Sequence, residues 1–356
     1  MISSRLAVVR RKMADRGLNG LLVTSRQNVF YLSGFDGSSG DLFITLDAAY
    51  IMCDFRYTQQ AQQQASMYMA TDVSKGIYHV INNIISYHKL SQIGVEDRSI
   101  SQAVYHGMKK SITGATLVSI GGLITEMRMI KDELEVENLE KAAWIGDLAF
   151  QETIKKIRPG ISEIEIAAEL EYVMRKNGAS GTSFDTIVAS GINSAKPHGT
   201  ASDKLLEDGD FVVMDFGCIY NGYCSDMTRT VAIGGVSPEQ QKVYQAVLFT
   251  QLKMINQVSA GKPCVQLDHI ARNLLNTFGY SEYFGHSLGH GVGIDIHEAP
   301  TLGPKSQQTL EPGMLVTIEP GVYFADNFGV RIEDSVLVLE DEIKILTHSP
   351  KELMIL

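Results

Sequence analysis

The sequence predicts two domains, an α/β domain over residues 1–125 and a larger α+β domain over residues 126–356. First, a chain of 356 residues is longer than one ordinary hydrophobic core supports. Second, short strand-like and helix-like segments alternate in the first part, as they do in α/β sheet domains. Third, the second part combines long helices with a β-hairpin and with strand-like runs that carry charged residues, which indicates a different architecture.

The N-terminal domain is predicted to contain four strands and three helices, assigned from apolar runs and from helical spacing of apolar residues. The strands are Leu18–Ser25, Leu42–Thr45, Tyr50–Asp54 and Gln92–Glu96, and the helices are Gln59–Ser66, Gly76–His88 and Gln102–Lys110. A polar cluster from Asp54 to Tyr57 follows one strand, and either a strand-end ion pair or a substrate contact explains it. No catalytic constellation is evident in this domain.

The C-terminal domain is predicted to open with a long helix and to contain a faint internal repeat. Apolar residues recur at helical spacing from about Lys131 until shortly before Pro159. Two later segments of equal length, 160–178 and 261–279, each run from one glycine to another and enclose a helix. Each of these helices follows a longer helix and precedes a strand-like segment. The repeat predicts two similar units around a shared sheet.

Two aspartates share one face of a predicted β-hairpin within residues 211–233. Asn221-Gly222 is a strong two-residue turn signal, because both positions tolerate positive φ. Counting back from this turn puts Gly217 opposite Asp226, and Asp215 then points to the same face as Asp226. The two carboxylates become diagonal neighbours about 7–8 Å apart at the backbone. From there they can converge on two metal ions about 3.5–4 Å apart.

Two explanations of the paired aspartates remain open at this point. Burying two like charges is costly unless a cation compensates them, which favours a metal site. Alternatively, the pair lies at a strand edge, where it is solvated or neutralised by Arg229.

A glycine-dense stretch from Gly285 to Gly293 supplies a further candidate ligand. His290 has glycine on both sides, and His297 and Glu298 follow one short segment later. Histidine is the commonest metal ligand, and glycine allows close approach of the backbone to a ligand or another strand. The same glycines match neither a P-loop nor a dinucleotide-binding fingerprint, so a phosphate-binding loop is a poor explanation.

Two strand-like runs near the C-terminus each carry acidic residues. Glu319 ends an apolar run, and Glu333 lies within another, next to Asp334. An acidic residue inside such a strand needs a partner, which is either Arg331 or a metal. The candidate ligands are therefore Asp215, Asp226, His290, Glu319 and Glu333. Carboxylates and an imidazole suit Mn²⁺, Co²⁺ or Fe²⁺, and the absence of cysteine from the set argues against a structural zinc knuckle.

These residues lie in motifs that resemble the pita-bread metallopeptidases, the family of methionine aminopeptidase, aminopeptidase P and prolidase. The motifs are VMDFG at 213–217, SDMTRT at 225–230, GHGVG at 289–293, IEPG at 318–321, VRIED at 330–334 and, upstream, ASGINSAKPHG at 189–199. Together they span the C-terminal two-thirds of the chain and are specific as a set. The resemblance implies a C-terminal pita-bread domain behind an α/β creatinase-type N-terminal domain.

The resemblance also implies a ligand scheme for two divalent metal ions, Mn²⁺ or Co²⁺. Asp215 would bind one ion through both oxygens, and His290 and Glu319 would bind the other. Asp226 and Glu333 would bridge the two ions. All five positions are intact, which disfavours creatinase, the member class that keeps the fold and loses the metal.

Three further residues receive expected roles from the resemblance. His198 and His297 resemble two histidines that position the substrate and stabilise the tetrahedral intermediate. Arg331 resembles an arginine that orders the ligand carboxylates. Glu319 is placed to move the proton from the attacking water to the leaving amine.

Composition limits the location and the partners of the protein. The hydrophobic content is 44%, the charged content is 20% and the formal net charge is −10, which is typical of a soluble globular protein without a nucleic-acid-binding stripe. No transmembrane run or signal-peptide core is present. Cys218 and Cys224 flank the hairpin turn and are predicted to be buried apolar residues without a disulfide. We therefore predict a cytoplasmic protein.

The predicted function is hydrolysis of the Xaa-Pro bond at the N-terminus of short peptides. An Xaa-Pro amide has no N–H for ordinary proteases to hold, so its cleavage needs a dedicated site. A methionine aminopeptidase is the second enzyme considered, but it usually lacks the extra α/β domain. In the proline-specific branch that domain typically builds a homodimer and narrows the substrate entrance. A metal-free, non-catalytic peptide-binding member of the fold is the third alternative.

Whether the enzyme is a dipeptidase or an aminopeptidase stays open in the sequence. In many dipeptidase members a basic residue follows the His-Glu-x-Pro motif and binds the carboxylate of the dipeptide. Here Thr301 follows His297-Glu298-Ala299-Pro300, which favours longer substrates. The chain is shorter than a typical aminopeptidase P, which favours dipeptides.

Overall fold

The computed structural model describes all 356 residues, Met1–Leu356. The chain divides into two compact units, Met1–Arg128 and Met129–Leu356. None of the helices combines the length and the hydropathy that are needed to cross a bilayer.

The N-terminal unit contains a six-stranded sheet and six helices. The helices are α1 (Ile2–Asp15), α2 (Arg26–Ser33), α3 (Thr58–Gln64), α4 (Ile77–His88), α5 (Gln102–Ser111) and α6 (Leu123–Met129). The strands are β1 (Gly20–Val23), β2 (Asp41–Thr45), β3 (Ala49–Cys53), β4 (Met69–Asp72), β5 (Gln92–Val95) and β6 (Thr116–Ser119). Their order is β4-β3-β2-β1-β5-β6, and β2 alone runs antiparallel to its neighbours.

The predicted elements of this unit are all present, with ends shifted by a few residues. Helices α4 and α5 share a buried apolar cluster with the sheet, which includes Leu22, Phe43, Ile81 and Met108. The prediction missed strands β4 and β6. Both lie at the edges of the sheet and expose half of their residues, so neither produces an apolar run in the sequence. In the cluster from Asp54 to Tyr57, Arg56 forms an ion pair with Asp54 at 2.7 Å.

The C-terminal unit contains four long helices and thirteen short strands, all paired antiparallel. The helices are α7 (Glu133–Thr153), α8 (Glu163–Lys176), α9 (Pro238–Ile255) and α10 (Cys264–Thr277). The strands are β7 (Gly181–Thr182), β8 (Ile187–Ser190), β9 (Phe211–Phe216), β10 (Cys218–Tyr220), β11 (Tyr223–Cys224), β12 (Met227–Ala232), β13 (Gly289–Gly291), β14 (Glu298–Leu302), β15 (Leu315–Ile318), β16 (Gly321–Tyr323), β17 (Gly329–Arg331), β18 (Asp334–Val338) and β19 (Ile343–Ile345). The sheets have the orders β11-β10-β7, β12-β9-β8, β14-β13-β15-β18-β19 and β16-β17.

The predicted internal repeat is confirmed. Helices α8 and α10 have 14 residues each, and α8 packs on α7 as α10 packs on α9. The four glycines that enclose these helices all have positive φ, a conformation that favours glycine. Each half has its own apolar core, with Leu170 and Met214 in the first and Leu267 and Val316 in the second. Full burial of a side chain of this kind contributes about 1.5–3 kcal/mol relative to exposure.

Candidate metal centre

A cavity of about 770 Å³ in the C-terminal unit brings the predicted site residues together. All five candidate ligands line it, and so do the three further residues: Asp215, Asp226, His290, Glu319, Glu333, His198, His297 and Arg331. A second concave surface, of about 700 Å³, runs along α9 and contains no carboxylate or histidine. Metal-ligating chemistry is therefore confined to the first cavity of these two.

The predicted hairpin delivers the two aspartates to this cavity. Asn221 and Gly222 have φ of 47° and 83°, as a two-residue hairpin turn requires. Strand β9 pairs with β12 in the predicted register, with Asp215 opposite Thr228. The ladder is interrupted at Gly217, where an added Cβ would lie 1.8 Å from the Ser225 carbonyl oxygen. This close crossing is the reason that position 217 needs glycine.

His290 reaches the aspartates from a strand enclosed on both sides. A Cβ added to Gly289 would lie 1.9 Å from the Thr317 carbonyl oxygen, and one added to Gly291 would lie 2.4 Å from that of Ala299. The glycines thus allow β13 to pack between β14 and β15. His290 Nδ1 lies 3.1 Å from its neighbour's carbonyl oxygen, which leaves Nε2 facing the acids.

Three of the five candidate ligands bring their ligand atoms together in the cavity, and Asp215 and Glu319 are outside this group. One side-chain atom from each of Asp226, His290 and Glu333 lies within 4.8 Å of the others. His290 Nε2 is 3.6 Å from Asp226 Oδ2 and 3.4 Å from Glu319 Oε1. Threonine hydroxyls orient two of the acids, because Thr228 donates to Glu333 at 2.6 Å and Thr317 donates to Glu319 at 3.0 Å.

Arg331 is the only permanent cation that lines the cavity. It donates to Asp215 Oδ2 at 2.6 Å and to the Tyr323 hydroxyl at 2.7 Å. Its Nε donates to Thr228 at 3.1 Å, and Thr228 in turn binds Glu333. One guanidinium therefore contacts one of the four carboxylates directly and a second one through Thr228.

Two of the ion-pair alternatives that the sequence leaves open are not found. Arg331, one of the two partners considered for Glu333 or Asp334, binds Asp215, and Arg229, the alternative partner of the paired aspartates, binds neither of them. Instead Arg229 donates to Asp334 Oδ1 at 2.8 Å on the far side of the strands. Successive side chains point to opposite faces of a strand. Arg229 and Asp334 each follow a residue that faces the cavity, so their own side chains point away from it.

The pKa values show that the acidic cluster lacks positive charge. Burial, followed by Glu333, raises the pKa of Asp226 well above its ordinary value, and burial, followed by Glu319, does the same for Glu333. Burial also raises the pKa of Glu319 to about 8. Burial lowers the pKa of His290 to about 4, so its imidazole is neutral and able to bind a metal at pH 7.

One buried oxygen in the cluster has no partner within the chain. Asp215 Oδ1 accepts no hydrogen bond, although buried polar atoms are nearly always satisfied. Together with four buried or half-buried carboxylates and a neutral imidazole, this orphaned acceptor fits divalent cations. The donor set is thus suited to divalent metal ions.

His198 and His297 have different surroundings from His290. Both are exposed at the cavity, where an incoming molecule would meet them. The ring of His297 packs edge-on against that of His290, with centroids 4.5 Å apart. Neither histidine is among the three residues whose ligand atoms converge.

His286 and Tyr323 also belong to this site, and sequence reasoning gave neither of them a role. His286 lines the cavity and its Nε2 lies 3.0 Å from the Tyr323 hydroxyl, which also accepts from Arg331. Burial lowers the pKa of His286 to about 4. The signal for His286 was its place in the glycine-dense stretch, whereas nothing in the sequence pointed to Tyr323.

Comparison with known proteins identifies related chains. Residues 137–340 match the family Metallopeptidase family M24. Residues 5–130 match the family Creatinase/Prolidase N-terminal domain. Uncharacterized peptidase YqhT of Bacillus subtilis is 42% identical over 352 residues, which cover 99% of this chain and 100% of YqhT. The solved structure of the Xaa-Pro dipeptidase from Bacillus anthracis has a TM-score of 0.97 and 41% identity, with 100% of both chains covered. That of the X-Pro aminopeptidase from Thermotoga maritima MSB8 has a TM-score of 0.91 and 38% identity, over 96% of this chain and 98% of the other.

The raised carboxyl pKa values predict how pH affects the metal-free protein. Glu319, whose folded-state pKa is about 8, keeps its proton over much of the interval from about pH 6.5 to 8, whereas the unfolded state has released it. Burial and neighbouring acids raise the pKa values of Asp226 and Glu333 in the same direction. The stabilising contribution of these groups to the free energy of unfolding is fully present below their ordinary pKa. It is lost as the pH rises through their folded-state pKa. Each retained proton removes up to about 1.4 kcal/mol of unfolding free energy per pH unit. In the unfolded state His286 and His290 are half protonated at about pH 6.5 and almost fully neutral above about pH 7.5, so they add a slope of opposite sign only at the lower end of this interval.

We therefore expect the melting temperature of chelator-treated protein to fall from pH 6.5 to 8, and added Mn²⁺ to remove most of the fall. Differential scanning calorimetry measures both. The matched control is the double variant Asp226→Asn/Glu333→Gln, which should show a flatter slope without metal. A wild-type melting temperature that stays constant or rises over this interval contradicts the charge assignment.

Proposed function

The chain belongs to metallopeptidase family M24, and from that premise we propose that it is a metal-dependent exopeptidase that hydrolyses the Xaa-Pro bond at the N-terminus of short peptides. The observation that carries this proposal is the buried group of four carboxylates and one neutral imidazole, which has a single arginine to balance its charge. Relatives named Xaa-Pro dipeptidase and X-Pro aminopeptidase support the specificity.

The metal ligands in this proposal are Asp215, Asp226, His290, Glu319 and Glu333. Their oxygen and imidazole donors suit Mn²⁺ or Co²⁺. When bound, two such ions supply a water that is nucleophilic at neutral pH and polarise the scissile carbonyl. The chain keeps the ligands in place through Arg331 and the two threonine hydroxyls.

The non-ligand residues bind the substrate and move protons. His198 and His297 are exposed at the cavity and donate N–H groups to the carbonyl side of the scissile bond. Glu319 Oε1 is oriented by Thr317, and its Oε2 carries the proton to the leaving proline nitrogen. A free α-amino group is attracted by the acidic cluster, which favours cleavage at the N-terminus.

The cavity also offers a surface for the proline ring. Phe184, Ile187 and Ile296 line it and form an apolar wall against which a pyrrolidine can lie. Contacts to the carbonyl side of the bond and to this apolar wall do not require an amide N–H at the scissile bond. An Xaa-Pro bond has no such N–H.

Substrate length is the finer part of the proposal. Arg331 is engaged by Asp215, Tyr323 and the Pro197 carbonyl, and Thr301 stands where many dipeptidases carry a basic residue. The C-terminal carboxylate of a dipeptide therefore finds no unengaged permanent cation among the residues that line the cavity. We propose that tripeptides and longer peptides are preferred to dipeptides.

We further propose a homodimer in the cytoplasm. The match to a Creatinase/Prolidase N-terminal domain supports the dimer, since this domain typically builds it in the proline-specific branch. All four cysteines are buried and free, which supports a reducing compartment.

The test of the function uses chelator-treated protein with Ala-Pro, Ala-Pro-Ala, Ala-Ala-Ala and Met-Ala-Ser, each with and without Mn²⁺ or Co²⁺. We expect metal-dependent release of alanine from Ala-Pro-Ala, slower release from Ala-Pro, and little cleavage of the other two. Cleavage of Met-Ala-Ser alone would identify a methionine aminopeptidase. Metal-free purification with no cleavage of any peptide would favour a binding protein.

Glu163, at the start of α8, holds the segment that carries His198. Its carboxylate is fully buried and accepts from Ser190 at one end of this segment, with 2.6 Å to the backbone nitrogen and 2.8 Å to the hydroxyl. It also accepts from Ser202 at the other end, with 2.6 Å to the hydroxyl and 3.1 Å to the backbone nitrogen, and from Asn193 in between. One carboxylate thus closes residues 190–202 into a fixed loop.

Glu163→Gln should lower kcat without removing metal, because its amide N–H₂ cannot accept from the Ser190 and Ser202 donors. We expect a loss of up to roughly 10²-fold from misplacement of His198. His198→Ala should lose roughly 10²–10³-fold with metal retained. Kinetics on Ala-Pro-Ala and metal analysis measure both effects.

The matched control is Glu165→Gln, two residues along the same helix, where glutamine preserves the capping box with Ser162. Wild-type kcat in Glu163→Gln, or a loss of metal equal to the loss of activity, would remove the positioning role.

A further inference from the structure

The sheet of the N-terminal unit has a point where its chain connections change direction. Strand β1 continues through β2 and β3 to β4 on one side, whereas β5 continues to β6 on the other. Strands β1 and β5 are parallel neighbours, so their carboxyl ends lie side by side at one edge of the sheet. In open α/β sheets this is the position at which a crevice opens and ligands bind.

A cleft of about 290 Å³ occupies this edge. Thr24, which follows β1, and Ser99 and Ser101, which follow β5, line it together with Asp41 at the start of β2. At about 30 Å³ for each water-sized group, the cleft has room for a ligand of fewer than about ten heavy atoms.

Apolar side chains also line the cleft. Leu22 of β1, Ile81 of α4 and Met108 of α5 are buried side chains that line the cleft. Val104 of α5 also lines it and is 44% exposed, which places this side chain at the rim. A ligand that fills the cleft therefore combines a polar end with a short apolar body.

Asp41 is the only charged side chain that lines the cleft, and nothing in the chain compensates it. No hydrogen bond from the chain reaches its carboxylate. The nearby Glu96 has the same charge and is itself engaged by the Thr24 and Ser25 backbone nitrogens at 2.6 and 2.8 Å and by Asn28 Nδ2 at 2.5 Å. Burial, followed by Glu96, raises the pKa of Asp41 to about 7.

A positively charged ligand would offset this half-buried carboxyl group, whereas an anion would be repelled by both acids. An ammonium group has three N–H donors, which Asp41 and the hydroxyl oxygens of Thr24, Ser99 and Ser101 can accept. Its alkyl chain can then lie along the apolar side chains of the cleft.

We propose that this cleft is a second binding site, separate from the metal centre, for a small organic ammonium ion with a short apolar chain. Alkyl amines and free amino acids both carry this group. Binding here requires nothing of the peptidase reaction, so the two proposals stand or fail separately.

The test is isothermal titration of the full-length, metal-loaded protein with isoamylamine, isoamyl alcohol and L-leucine. We expect isoamylamine to bind one site per chain and the alcohol, which has the same shape without the charge, to bind at least about tenfold more weakly. Binding of leucine as well identifies amino acids as a source of the ammonium, and binding of the amine alone identifies monoamines. No binding of isoamylamine, or equal binding of the alcohol, overturns the proposal.

Two variants and one control locate the site. Asp41→Asn removes the charge of a half-buried carboxyl group that has no partner in the chain, so it should fold and yet bind isoamylamine at least about tenfold more weakly. Val104→Phe keeps Asp41 and fills the rim, and should block binding as well. Asp15→Asn changes an exposed aspartate of the same unit and should bind like wild type. Peptidase activity should be unchanged in all three variants. If both Asp41→Asn and Val104→Phe bind the amine as tightly as wild type, the amine binds at another site.

Discussion

The central physical constraint on the C-terminal unit is the electrostatic repulsion among four carboxylates that share one cavity. At an effective dielectric constant near 20, two unit charges 4 Å apart interact by about 4 kcal/mol, so a single guanidinium cannot neutralise four acids. Removing charges from water also costs free energy, and such clusters are seldom kept for stability. The cluster is therefore best understood as a site that becomes favourable only when divalent cations occupy it.

The rest of the unit holds this unfavourable arrangement in place. Strand alternation separates two sets of charges, with Asp226, Arg331 and Glu333 facing the cavity and Arg229 and Asp334 paired behind it. Two apolar cores, one for each half of the repeat, support the strands on which the ligands lie. The glycines beside His290 and at position 217 allow the strands to approach closely enough for the ligand atoms to meet.

Features that depend on local chemistry could be predicted from the sequence. The Asn221-Gly222 turn determines the hairpin register, and the two glycine-bounded helices reveal the repeat. The candidate acidic ligands could be singled out because acids inside apolar strands need a partner.

Features that depend on long-range packing could not be predicted. Strands β4 and β6 are exposed edge strands without an apolar run. The hydrogen-bond partner of Arg331 depends on which strand lies opposite it. Glu163 accepts hydrogen bonds from a segment that begins 27 residues later in the chain. In the sequence Asp41 is only an acidic residue at the end of a strand. Its position in a cleft follows from the sheet topology.

Metal stoichiometry tests the central claim most directly. Chelator-treated protein would be dialysed against Mn²⁺ and analysed by inductively coupled plasma mass spectrometry, together with Glu333→Gln and the exposed control Glu311→Gln. We expect two ions per chain in wild type and in Glu311→Gln, and at most one in Glu333→Gln. A wild-type protein that binds no ion, or a Glu333→Gln variant that still binds two, would contradict the assignment of the acidic cluster as a two-metal centre.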